Sequence, residues 1–182
     1  MRKFVLITSS VIVAVVALAA SLKPPRPLVY QSEVIVDLPR SQAWARLKDL
    51  SLAHCYVPGI TRTEITSAAS EGVGPTRRVY SSDSSYIIET VTQWREGSGL
   101  DLALTGDDGS APPPFARAAF SYQLQDAGGE STRASTRLSF TMRAGYLGEW
   151  AAKGLLAGEF QDRTDAVATA LKRFYETGQC EG

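Results

Sequence analysis

TRASTRLSFTMR, residues 132–143, is the stretch on which the fold turns. Ala134, Leu138, Phe140 and Met142 alternate with Arg133, Arg137, Ser139 and Arg143. A period of two over that length sets one row of side chains against a core and the other in water, as in one strand of an antiparallel sheet. Residues 116–124 repeat the pattern, with Ala116, Ala118, Phe120, Tyr122 and Leu124 forming the apolar row. Two such strands predict a sheet with a single apolar face, which needs a second layer to cover it.

The cover follows directly in the chain. From Gly148 to about Thr177, Leu156, Phe160, Val167, Leu171 and Phe174 recur at helical spacings, which predicts one long helix with one apolar stripe. Upstream, VYQSEVIVDL reads as a strand beginning at Leu28. Pro39-Arg40-Ser41 then opens a helix, with Ser41 as its expected cap and Ala43, Trp44, Leu47 and Leu50 at helical spacing. The stretch SLAHCYVPGI (51–60) completes a helical pair and ends at Pro58-Gly59. Short strands are expected over 60–67, 76–82, 85–95 and 99–105, with a turn at Gly72–Pro75 and a hairpin around Ser82-Asp83-Ser84. The order is strand, helical pair, six strands, long helix: an α+β chain whose sheet wraps around its last helix.

The chain has 182 residues, 44% apolar and 21% charged, enough for one domain with a real core. Nineteen basic and 19 acidic residues balance, so no overall field favours nucleic acid. One end departs from this picture. Arg2 and Lys3 precede an uncharged run from Phe4 to Leu22, and its 19 residues would span about 28 Å as a helix. Residues 1–22 therefore read as a membrane anchor, or as a signal peptide cut after Ala17-Leu18-Ala19. Either reading puts the domain outside the cytoplasm, periplasmic or at the cell surface. Residues 23–27 (KPPRP) form a stiff proline-rich linker, 28–177 the domain, and 178–182 a tail.

SEVIVDLPRSQAWARLKDLS, the YVPGI turn, GVGPTRRVY followed by YIIETV, and the terminal helix together resemble the START-like helix-grip superfamily, which includes polyketide cyclases and the birch-pollen-allergen fold. The resemblance covers roughly residues 28–177. It implies a curved antiparallel sheet of about seven strands wrapped around a long C-terminal helix, with an apolar cavity between them. Members of this superfamily bind lipids, sterols, isoprenoids or polyketides, and only some catalyse. The expected function is a membrane-tethered domain binding a lipid, isoprenoid or quinone-like molecule. The alternatives are a cyclase or aromatase, and an envelope interaction module whose cavity is filled by residues such as Phe120, Phe140, Phe160 and Phe174.

Several residues stand out within that frame. His54 is the sole histidine and adjoins Cys55, but neighbours at i, i+1 point apart, and too few ligands exist for a metal. No catalytic set, metal site or cofactor is assigned. The resemblance places this stretch at one end of the cavity and brings Cys180 near Cys55, which makes a disulfide a candidate outside the cytoplasm. The expected cavity wall is His54, Tyr56, Tyr86, Glu89, Phe120, Tyr122, Phe140 and Phe160, with Arg78 and Glu89 as the polar anchor. Both faces of the strand carrying Glu89 are mixed, so a bulge can turn either one inward. For a cyclase, Glu89, Tyr86 or Tyr122, and His54 would be the acid–base groups. The loop GDDGSAPPPF (106–115) reads as a cavity rim or gate, Arg133, Arg137 and Arg143 as a wet face, and Trp150 as a portal residue or packing anchor. Oligomeric state is left open.

Overall fold

The computed structural model describes residues 26–82 and 84–180. The expectations for residues 1–22, and for most of the linker, lie outside the described residues. Strand β1 (Leu28–Val36) leads into helix α1 (Arg40–Leu47), a single 3-10 turn (Leu50–Leu52) and the short helix α2 (Ala53–Tyr56). Six strands follow: β2 (Arg62–Ile65), β3 (Thr76–Ser82), β4 (Ser85–Arg95), β5 (Gly99–Thr105), β6 (Phe115–Gly128) and β7 (Ser131–Met142). Helices α3 (Gly145–Leu155) and α4 (Ala157–Thr177) end the domain. The strands make one antiparallel sheet in the order β1-β7-β6-β5-β4-β3-β2. The first strand thus closes beside the last, and the curved sheet grips α4. This is the helix-grip fold.

The decisive stretch behaves as its alternation requires. Ala134, Phe140 and Met142 are buried and Leu138 is half-buried, while Arg133, Arg137 and Arg143 stay exposed. Its partner β6 departs from simple alternation at its start. Phe115 pairs with Met142 and Arg117 with Thr141, so Ala116 is an extra residue and lies exposed. The bulge hands the inward position expected of Ala116 to Phe115.

Two helical expectations change. Pro39 takes the N-cap of α1, its carbonyl accepting from the Gln42 and Ala43 N–H groups, and Ser41 sits inside the first turn without a capping bond. The expected single long helix is two helices. Leu156, with φ −118° and ψ 0°, interrupts the helical geometry, and Gly154 and Gly158 flank it, where helix propensity is lowest. The apolar stripe read through Leu156 therefore belongs to α4 only from Phe160 onward. That helix ends at Gly178, whose φ of +70° and N–H bond to the Phe174 carbonyl form a left-handed cap.

Two buried clusters fill the ends of the space between sheet and helices. The larger gathers Leu47, Tyr56, Val91, Leu100, Leu102, Tyr122, Leu124, Leu171, Phe174 and Tyr175. The smaller gathers Leu28, Ala118, Phe140, Met142 and Ala152, with Tyr30, Phe115 and Phe160 packed against it.

Candidate ligand-binding groove

The inner wall is set by register. Arg77 pairs across the hairpin with Glu89, and Val79 with Ile87, so Arg77, Val79, Ile87, Glu89 and Val91 share one face. A register shift between Val91 and Gln93 makes Thr92 an extra residue, after which Trp94 pairs with Leu100 and shares the core-facing side. One bulge thus brings both Glu89 and Trp94 inward, although strict alternation would set them apart. Gly99 permits the tight return into β5. Its φ is +143°, and a Cβ there would lie 2.1 Å from the Tyr122 carbonyl oxygen.

Glu89 is held by Arg77. The Arg77 Nε donates to Glu89 Oε2 at 2.6 Å, and Nη2 lies 2.6 Å from the same oxygen. Nη1 donates to the Leu50 carbonyl at 2.8 Å and to the Tyr56 hydroxyl at 3.3 Å. Arg77 is 1% exposed and Glu89 8%, so this pair is inside the domain. Burial works against the Arg77 charge, but Glu89, Tyr56 and Tyr122 more than offset it and its pKa lies above the ordinary value. Burial also drives the Tyr122 and Tyr175 phenols well above their usual range, so both remain protonated. The buried Tyr175 hydroxyl has no hydrogen-bond partner among the described residues.

Between the two clusters the inward apolar side chains are less fully covered. Ile87, Leu104, Phe120, Leu138 and Phe160 face α4 or the sheet, yet are only half-buried. Leu104 sits opposite Glu89 and touches both clusters, so it marks the middle of the groove. Its cross-strand neighbours inside are small or separated: Ala118 lies between Leu104 and Phe140, while Phe120 and Leu138 pair with each other in the next row. The far end is closed by aromatic rings. Phe140 and Phe160 have centroids 4.6 Å apart, Phe115 and Phe140 4.7 Å, and Tyr30 and Phe160 5.5 Å.

The structure groups some of the expected wall and disperses the rest. Tyr56, Glu89, Phe120 and Tyr122 lie together inside, with Tyr56 and Tyr122 edge to face at 5.7 Å. Phe140 and Phe160 belong to the aromatic end. Tyr86 does not face the groove. It lies on the outer side, donates to Asp107 at 2.7 Å and packs on Tyr80. Arg78, expected beside Glu89, is on that outer side too, over the Tyr86 ring, because adjacent residues of a strand face opposite ways. Arg77 is the arginine that pairs with Glu89. Tyr30 and Phe115 were missed. Tyr30 was legible from alternation in β1, whereas Phe115 depends on a bulge.

His54 is also away from the groove. Its Nδ1 lies 3.2 Å from Thr63 Oγ1. Cys55, beside it, is bonded to Cys180. A pocket of about 680 Å³ opens there, lined by His54, Pro58, Arg173 and Cys180 among others. The loop 106–115 touches both sides of the sheet: Asp107 accepts from the outer Tyr86, while Ala111 is buried in the smaller cluster with Ala118 and Phe140. It borders a trough of about 660 Å³ whose lining takes in Ala103, Ala119 and Ser139 and also Leu104, Ala118 and Phe140. The depression at His54 lies at the disulfide end, away from Leu104 and Phe160.

The profile of a family described as polyketide cyclase / dehydrase and lipid transport matches residues 28–176. No curated protein sequence matches the chain. Solved structures share the fold at low identity. Ara h 8.0201 is 16% identical with a TM-score of 0.61, over 82% of this chain and 98% of that one. A Thermus thermophilus protein is likewise 16% identical, with a TM-score of 0.61, over 81% and 97%. An aromatase/cyclase from Streptomyces is 14% identical with a TM-score of 0.57, over 86% and 100%.

Proposed function

Because the chain belongs to the polyketide cyclase / dehydrase and lipid transport family, we propose that it binds an apolar small molecule in the groove between sheet and α4. The observation that carries the reading is the row Ile87, Leu104, Phe120, Leu138 and Phe160, apolar side chains that point inward but stay half-buried. An apolar ligand would remove that surface from water at about 25 cal/mol per Å². Glu89, fixed by Arg77, gives the groove a polar group that would orient an amphipathic ligand. A lipid, isoprenoid or quinone-like molecule has this shape: a long apolar body with one polar head. The uncharged run Phe4–Leu22 supports a tether to a membrane with the domain outside the cytoplasm, which keeps the groove close to such ligands.

The test compares molecules extracted from the purified full chain with those from Leu104→Trp, in which an indole fills the middle of the groove. At least a tenfold drop in one apolar species is expected. Identical extracts, each without an enriched species, would overturn the reading.

That second outcome would favour an interaction module with a reduced cavity, which the ring contacts around Phe140 and Phe160 support. A cyclase has less to work with. The acid–base set expected for it is scattered, since Tyr86 and His54 lie outside the groove and only Glu89 and Tyr122 remain within it.

A further inference from the structure

Helix α3 carries an apolar face that no described residue covers. Leu147 is 74% exposed, Trp150 67% and Leu155 78%, and these are three of the six large hydrophobic residues exposed among the described residues. At 3.6 residues per turn they fall within an arc of about 140°, together with Ala151 and Gly154. The opposite side of α3, with Gly148, Glu149 and Ala152, is buried against the sheet around Met142. An 11-residue helix that packs one side and shows Leu, Trp and Leu on the other has the pattern of an interfacial helix. Trp is also the side chain enriched where water meets lipid.

The entry of the chain into the domain lies at the same place. Leu28 begins β1 opposite Phe140, and β7 runs from Phe140 through Met142 into α3. Arg26 accordingly sits next to α3. The Glu149 carboxyl there is held below the usual range chiefly by Lys153, against the effect of burial, and further by the backbone and charge of Arg26. Leu22 precedes Arg26 by only four residues, and three of the five linker positions are proline, so the chain between the apolar run and Arg26 can span at most about 14 Å. The run itself is apolar on all sides. One 11-residue face cannot cover it, and it cannot cover that face while burying its own surface. A bilayer covers both. Lys153 on this helix and Arg26 beside it lie around the single carboxylate of Glu149, a local excess of positive charge that an anionic lipid surface favours.

We propose that the Leu147, Trp150 and Leu155 face of α3 lies in the interface of a lipid bilayer and sets the aromatic end of the groove toward the membrane. The lipid source rests on the tethering reading given above. The buried side of α3 packs over the cluster containing Phe140 and Ala152, so docking would place that end of the groove against the apolar phase.

The experiment uses the full chain reconstituted in phosphatidylcholine vesicles with a fraction of phosphatidylglycerol, with and without acyl chains brominated near the headgroup. Trp44 and Trp94 are inside the domain or against each other, at 5.0 Å, which leaves Trp150 as the tryptophan accessible to bromine. Emission from one of the three tryptophans should be quenched, and Trp150→Phe should abolish the quenching. Leu147→Ser with Leu155→Ser should reduce it without changing the circular dichroism spectrum, since both side chains are exposed. If the chain resists an alkaline wash but Trp150 is not quenched, the docking inference falls and the tether stands. If the wash strips the chain while Trp150-dependent quenching persists before it, the tether falls and the docking stands. Trp150 emission shifted to the blue without lipid, with a doubled mass, would mean that a second copy covers the face, and that too overturns the proposal.

Discussion

At the scale of single residues the domain depends on Arg77. It is fully inside, and its guanidinium joins β3 to Glu89 on β4 and to the Leu50 carbonyl of the 3-10 turn. Replacing it with methionine leaves the Glu89 carboxylate buried without its counter-charge, and such a change costs about 3–5 kcal/mol. The double change Arg77→Met with Glu89→Met removes both charges and should cost clearly less than the single one. Urea denaturation of the three proteins checks this, and a double variant no more stable than Arg77→Met would argue against the pair as the source of the effect. Arg78 is the arginine expected beside Glu89 from the sequence, and in the fold Arg77 takes that place. Arg77 and Arg78 are adjacent, and the choice between them is the choice of which face of β3 turns inward. That is fixed by packing against Leu50 and Tyr56, residues more than 20 positions away.

At the scale of elements, the strands with clean alternation were readable and the irregularities were not. Residues 132–143 and most of 116–124 follow period two, because each apolar side chain reports its face directly. The extra residues at Thr92 and Ala116 leave no mark in composition, yet each reverses the parity of what lies beyond it. Trp94 joins the core and Phe115 joins the aromatic cluster for that reason. The break at Leu156 was hidden by an apolar stripe that continued across it. Gly99 is the position where an element is most sensitive to one atom. Its positive φ and the Tyr122 carbonyl 2.1 Å from a would-be Cβ predict that Gly99→Ala costs about 3 kcal/mol or more. Gly97, with φ +71° and no neighbour within 4 Å, supplies the control: Gly97→Ala should cost only about 1–2 kcal/mol. Equal denaturation midpoints for the two variants would contradict the steric account.

At the scale of the whole molecule, the chain has two poles joined by α4, whose 21 residues span about 31 Å. Entry, α3 and the aromatic end of the groove lie at one pole, while α2, His54 and the Cys55–Cys180 bridge lie at the other. The bridge closes a sequence separation of 125 residues, and the entropy it removes from the unfolded chain is worth about 4–5 kcal/mol. Dithiothreitol, or Cys55→Ser with Cys180→Ser, should therefore lower the urea midpoint, and unchanged midpoints would show that the bridge adds nothing. The same covalent link decides how the molecule answers force. Pulled from its two ends, the oxidised chain can lengthen only along the segment before Cys55. From Arg26 onward that is roughly 100 Å of contour, and β1 must shear from β7 to release it. The covalent path between the two cysteines, α4 included, is not stretched, while the aromatic end of the groove loses Tyr30 when β1 leaves. Reduction would bring a further contour of about 440 Å under tension, so the bridge fixes which part of the domain carries mechanical strain.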